Sequence, residues 1–224
     1  MHVLSLMNPK GGVGKSTLAI NLATEYASRG NSVVILDCDD PQFTCLDWER
    51  QRNNRDEEDL TEVGLYTAED VEEIEVALDG LKGQGVDLVI LDGPGRMGEI
   101  TGYILRRSDT ILVPVTPSAT DVWGARPLVD LIREYELESR SWFIATQVDT
   151  QTAIYDHFDF LLDREEYPFS LLEAAVRKRP ATYPETPFDG LGVSEKKPGG
   201  AAHKEIEALA DEIVEVSTRA PVTS

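Results

Sequence analysis

Asn8-Pro9-Lys10-Gly11-Gly12-Val13-Gly14-Lys15-Ser16-Thr17 is the stretch that decides the fold. An apolar run at residues 3–7 leads into it. A helix-period segment follows at once, with Leu18, Leu22 and Tyr26 on one stripe and Ala19, Ala23 and Ala27 beside it, ending near Gly30. Glycines in such a strand–loop–helix setting let the backbone wrap tightly, so that successive N–H groups and the helix N-terminus point at the oxygens of a polyphosphate. Lys15 then reaches the β- and γ-phosphates, and the Ser16 hydroxyl ligates Mg²⁺. Pro9 occupies the first glycine position of the strict G-x-x-x-x-G-K-[ST] pattern. The candidate cradle is therefore Gly11, Gly12, Val13, Gly14, Lys15, Ser16 and Thr17.

Outward from this loop, apolar runs of strand length alternate with helical segments. Residues 32–36, 86–91, 110–115 and 142–146 join 3–7 as strand candidates, with a weaker one at 62–66. Most are nearly continuous in Val, Ile and Leu, as strands buried on both faces should be. The pattern predicts an α/β fold: a doubly wound, mainly parallel sheet with helices on both faces and the ligand at the carboxyl ends of the strands. Val122, Ala125, Val129, Ile132 and Tyr135 predict a second helix that kinks or restarts at Pro127. Ile206, Leu209, Ala210, Ile213 and Val214 predict an amphipathic terminal helix. Residues 49–59 read as a solvated helix end and loop, 180–200 as irregular surface, and Trp123 and Trp142 as core. One domain over residues 1–217 with a flexible tail at 218–224 is the expected organisation.

The 224 residues, 41% hydrophobic and 28% charged, have an ordinary globular composition. No apolar run approaches the roughly 18 residues of a membrane span, and no secretory signal is evident, so a cytoplasmic protein is expected. Cys38 and Cys45 lack disulfide-scaffold or metal-ligand spacing. His2, His157 and His203 are scattered, which favours surface or packing roles. Forty-one acidic against 21 basic residues give a formal charge of −20, a field that repels nucleic acid and anionic membrane unless a local basic patch intervenes. The polar positions of the terminal helix, Lys204, Glu205, Glu207, Asp211, Glu212 and Glu215, form an anionic face unsuited to lipid. No membrane partner is expected.

Two carboxylate clusters would complete a phosphate site. Asp37-Cys38-Asp39-Asp40-Pro41-Gln42 follows the second strand, and three such carboxylates repel one another unless a cation or donors sit among them. Asp92 closes the strand at 86–91, ahead of Gly93-Pro94-Gly95, in the arrangement that holds Mg²⁺ through water.

With Lys10 inside the loop, the run from Lys10 to Thr17 resembles the deviant Walker A motif of the ParA/MinD family of P-loop ATPases. Asp37–Gln42 resembles that family's D-x-D-P-Q motif with one residue added. Counting forward from the strand favours Asp39 as the water-orienting carboxylate, and counting back from Pro41-Gln42 favours Asp40. Asp109–Ser118, Asp121–Ala125 and Leu46-Asp47-Trp48 are similar to the small plasmid-partition branch. Thr146, Gln147 and Gln151 stand where the family often has an adenine-reading Asn and a Pro-Arg-Thr arginine. The resemblance implies slow hydrolysis of ATP with Mg²⁺, held by Ser16, Asp39 and Asp92. It further implies a nucleotide-sandwich homodimer in which Lys10 reaches the partner's phosphates, and a ParB-like or other cargo adaptor. Arg177, Lys178 and Arg179 become the candidate non-specific DNA contact, which would make the protein nucleoid-associated. The implied cargo is plasmid or chromosome DNA. The same engine serves protein cargoes such as a microcompartment, chemosensory array or secretion machine, and a low-turnover scaffold or regulator is a further alternative.

Overall fold

The computed structural model describes residues 1–55, 60–149, 158, 162 and 167–219. Six strands form one sheet: β1 (His2–Leu6), β2 (Val33–Asp37), β3 (Val63–Thr67), β4 (Leu88–Asp92), β5 (Thr110–Val115) and β6 (Ser141–Ala145). Their order is β3-β2-β4-β1-β5-β6 and every pairing is parallel. Each expected strand is present with ends moved by a residue or two, and the weak one is the edge strand β3.

The strands read as continuous apolar runs because they feed two layers. Leu4, Leu6, Val33, Ile35, Ile90 and Leu112 face one layer. There they meet Leu18 and Leu22 of α1 (Lys15–Ser28) and Ile206, Leu209 and Ile213 of α9 (Ala201–Arg219). Val34, Leu36, Val89, Leu91 and Val113 face the other, against α3 (Val71–Leu81), α4 (Glu99–Arg107) and α6 (Arg126–Glu134). Pro127 lies in the first turn of α6, after α5 (Ala119–Gly124) has ended. The helix therefore restarts there, in the position where a missing N–H is harmless.

Several expectations need correction. Residues 49–53 do end a helix, α2 (Thr44–Asn53), with Arg50, Gln51 and Asn53 exposed, but Arg52 is nearly buried beside the fully buried Trp48. Arg52 lies over the Trp48 ring at 5.0 Å and pairs with Glu195 at 2.6 Å. Residues 56–59 lie outside the described residues. Residues 180–200 contain two short helices, α7 (Thr186–Asp189) and α8 (Val193–Lys196). Between them Gly190 adopts φ +64, and a Cβ there would fall 2.4 Å from the Arg52 nitrogen. That close approach docks this corner on α2. Trp123 is half exposed rather than core, with the Arg126 guanidinium 6.0 Å from its ring, and Trp142 is only partly buried. The terminal helix runs through Arg219; residues 220–224 of the expected tail lie outside the described residues. Among the described residues no helix is long and apolar enough to cross a membrane.

Candidate nucleotide site

All six carboxyl strand ends meet at one edge of the sheet, and β1 sits between β4 and β5. The loop after β1 thus emerges at the point where strand order reverses, the usual ligand crevice of such sheets. The register sets Leu6 beside Asp92 and Asp37 beside Asp92.

Side chains hold the loop from β5 and from the segment after β6. Asn8 Nδ2 donates to the Pro114 carbonyl at 2.8 Å while its Oδ1 accepts from Lys10 N at 2.9 Å. Thr146 Oγ1 donates to the Val13 carbonyl at 2.8 Å, and Gln147 Nε2 to the Gly12 carbonyl at 2.5 Å. Gly12 and Gly14 adopt φ +79 and +95 with open space where a Cβ would stand. The conformation itself demands glycine there. A cavity of about 450 Å³ opens over the loop, and residues 176–180, 183 and 184 line it as well.

The sequence left Asp39 and Asp40 undecided, and the geometry separates them. Asp39 lines the cavity and its Oδ1 accepts from Gly95 N at 2.8 Å. A Cβ on Gly95 would lie 3.6 Å from that oxygen and 3.9 Å from Lys15 Nζ, so carboxylate, ammonium and the Gly93–Gly95 turn converge. Asp40 turns toward Arg96, 3.6 Å away.

Asp37 and Asp92 are fully buried. Burial raises the Asp37 carboxyl, opposed by the backbone N–H groups of Asp39 and Cys45 at 3.2 and 2.9 Å. Asp92 is pushed up to about 7, by burial first and by the Asp37 charge second, against the Ser16 hydroxyl and the Lys15 ammonium. Its Oδ2 accepts from the Cys45 thiol at 3.5 Å, while its Oδ1 is buried with no partner among the described residues. An orphaned buried carboxylate oxygen beside a serine hydroxyl is what a hard divalent cation satisfies. Ser16 and Asp92 thus fit Mg²⁺. Sequence reasoning gave no role to Asp37 or Cys45, whose ligand atoms lie within 4.8 Å of one another and of Asp92. The third carboxylate of the cluster was the available signal for Asp37; nothing in the sequence marked Cys45.

Lys10 lies along α5 and pairs with Asp121 of its own chain. Asp121 is also held by the Thr116 hydroxyl, and its backbone N donates to the Ser118 hydroxyl at 3.3 Å. Arg177, Lys178 and Arg179 do not form a separate face: they line the cavity, and Arg179 and Arg177 approach Glu205 at 2.5 and 3.7 Å. Gln151 lies outside the described residues.

Residues 4–211 match the CobQ/CobB/MinD/ParA nucleotide binding domain. The chain is 26% identical over 218 residues to Maintenance of carboxysome distribution protein A of Halothiobacillus neapolitanus, covering 94% of this chain and 95% of that protein. It is 31% identical over 142 residues to Protein ParA of Rhizobium radiobacter, covering 61% of this chain and 58% of that protein. A chain of the MinC:MinD cell division protein complex of Aquifex aeolicus superposes with a TM-score of 0.80 at 15% identity, covering 96% of each chain. That likeness speaks for the fold alone. The chain belongs to the CobQ/CobB/MinD/ParA nucleotide-binding family, and its fold is that of the MinD and ParA P-loop ATPases.

Proposed function

We propose that this protein is a ParA-like ATPase that works as an ATP-dependent dimerisation switch. The observation that carries the reading is the convergence of Lys15, Asp39 and the Gly95 N–H on the cavity above a glycine loop. The N–H groups of residues 11–17 hold the phosphates, and Lys15 neutralises them. Ser16 and Asp92, with Asp39 as the third candidate ligand, would hold Mg²⁺, which when bound would supply charge neutralisation at the phosphate oxygens. Asp39, not Asp40, orients the attacking water, because its carboxylate alone of the two faces the cavity. Hydrolysis yields ADP and phosphate, and catalysis is positioning plus charge stabilisation.

Lys10 is the dimer contact. To reach a partner's phosphates it must leave Asp121, so the ion pair within one chain competes with assembly. Lys10→Ala is expected to retain nucleotide binding and to lose ATP-dependent dimerisation in sedimentation. A profile unchanged by the substitution would exclude the sandwich dimer.

The dimer positions a cargo through an adaptor protein. DNA partition, with Arg177, Lys178 and Arg179 on non-specific DNA, is the first reading and is supported by the likeness to ParA. A protein cargo is the second. It is supported by the end-to-end match to a carboxysome distribution protein and by the placement of Arg177 and Arg179 against Glu205. Binding of the ATP-loaded protein to duplex DNA at low salt separates them. Retention of the wild type supports DNA, and no retention supports a protein cargo.

A further inference from the structure

Part of the polar face of α9 is not solvated: Lys204, Glu207, Asp211 and Glu215 are exposed, but Glu205 and Glu212 are partly buried. Residues 171–183, which contain no long regular element, run between β6 and this helix. Towards the sheet, Leu172 N donates to the Phe143 carbonyl and Val176 N to the Ala145 carbonyl, each at 2.9 Å. Towards α9, two glutamates gather the segment. Glu212 accepts from Glu173 N at 2.8 Å and Ala174 N at 2.7 Å. Glu205 accepts from Arg177 N at 3.3 Å, from Arg179 Nε at 3.2 Å and Nη2 at 2.5 Å, and from Tyr183 Oη at 3.2 Å.

The two glutamates differ in what stands on the other side. Val176, Arg177, Arg179 and Tyr183 line the cavity that contains the phosphate loop. The loop takes the phosphates, so this second wall faces the nucleoside. We propose that Glu205 is a positioning residue for the nucleoside end of the nucleotide, fixing the wall at 176–183 against α9. The inference rests on the reading of the cavity as a nucleotide site.

The chemistry suits the task. Charge-assisted hydrogen bonds, here the fork of Arg179 on a carboxylate, are the ones strong and directional enough to fix an irregular segment. The Glu205 side chain is only 13% exposed, so solvent screens the pair weakly. Burial, with the Glu205 carboxylate second, keeps the Tyr183 phenol far above its ordinary range, so it remains a donor. A purely structural glutamate would lower stability and leave the two halves of the ligand equally well bound.

Calorimetric titration with Mg-ADP and with Mg-tripolyphosphate, which has no nucleoside, tests this distinction. Glu205→Ala is expected to weaken ADP about tenfold and to leave tripolyphosphate unchanged or tighter, since two arginines are released near the cavity. Glu205→Gln retains the shape and one acceptor and is expected to weaken ADP about threefold with the same split. It carries the test should the alanine variant fail to fold. Glu207→Gln, on the same helix, is expected to change neither. Equal losses for both ligands, or an ADP affinity that does not move, would overturn the proposal. Wild-type protein that binds neither ligand would overturn the nucleotide reading itself, a result distinct from either.

Discussion

The carboxyl edge of β1, β2 and β4 and the chain from residue 171 to 219 are both bound into the cavity, and they are built on different rules. At the strand edge the chemistry dictates the residue. Gly12 and Gly14 adopt left-handed backbone that a Cβ would strain, Lys15 is a buried cation lining the cavity, and one buried oxygen of Asp92 has no hydrogen-bond partner among the described residues. In the later region the recurring device is a carboxylate that captures donors from a neighbouring segment: Glu195, Glu205 and Glu212. Any acidic residue on a helix could do this, so nothing in its local sequence announces it. Sites that bind phosphate are written in motifs, whereas the fastening behind them is written in ordinary surface letters.

If those fasteners are structural, removing one partner should be severe. Arg52 donates from Nη2 to Glu195 at 2.6 Å and from Nη1 to the Gly190 carbonyl at 2.9 Å. Arg52→Ala would strand a buried carboxylate, with a loss of about 3–5 kcal/mol in urea unfolding. Burial would raise the Glu195 carboxyl, but hydrogen bonds from Arg52, Thr61 and the Gly192 N–H outweigh it and hold it below its ordinary value. Its stabilisation is therefore present above the unfolded-state value near 4.5 and fades as pH falls through the folded one. The gap between variant and wild type should narrow in acid. A loss below about 1 kcal/mol at neutral pH would place Arg52 and Glu195 with exposed ion pairs and erase the contrast.

The strand edge should behave in the opposite sense, with binding favoured over stability. Asp92, pushed up to about 7 by burial and the neighbouring Asp37, is a charge the metal-free fold disfavours. For a raised carboxyl the stabilisation is complete below the unfolded-state value of 3.8 and lost as pH rises through about 7. Asp92→Asn should therefore raise the stability of the nucleotide-free protein at pH 8, on the order of 2 kcal/mol, with little gain at pH 4. It should also abolish the dependence of nucleotide binding on Mg²⁺. Equal melting shifts at both pH values would show that Asp92 is already satisfied in the absence of metal.

This contrast explains which parts the sequence disclosed. Strands buried on both faces had no choice but continuous Val, Ile and Leu, so their positions could be read to within a residue or two. Asp39 and Asp40 could not be separated, because motif counting does not see that Asp39 accepts from Gly95 N while Asp40 faces Arg96. Trp123 lies one residue from buried Val122 and two from buried Ala125, spacings that do not share a helical face, so its apolar character and not its position suggested the core. Arg177, Lys178 and Arg179 read as an outward patch because no local sequence reveals that Glu205 folds back against them. One signal was present: Glu205 and Glu212 are two helical turns apart, each directly before an isoleucine of the buried stripe. Paired acids at the edge of an apolar stripe, not in its centre, are candidates for this fastening.

Thr146 stands between the two regions and makes the finest test. The sequence marks it only as a departure from the adenine-reading Asn of the ParA/MinD family, but its hydroxyl reaches the Val13 carbonyl at 2.8 Å and the Val115 carbonyl at 3.1 Å. Val115 also receives Thr146 N at 2.8 Å, so its carbonyl stays satisfied without the hydroxyl. The carbonyl of Val13 depends on it more. Thr146→Val keeps the shape and removes the donor, which should lower stability by about 1 kcal/mol. Because the bond restrains the phosphate loop, ADP affinity should fall by a few fold as well, and here Mg-tripolyphosphate should weaken in parallel. Thr146→Ser should restore both. A valine variant that melts earlier but binds normally would mean that Asn8 and Gln147 suffice to hold the loop, leaving Thr146 to the fold alone.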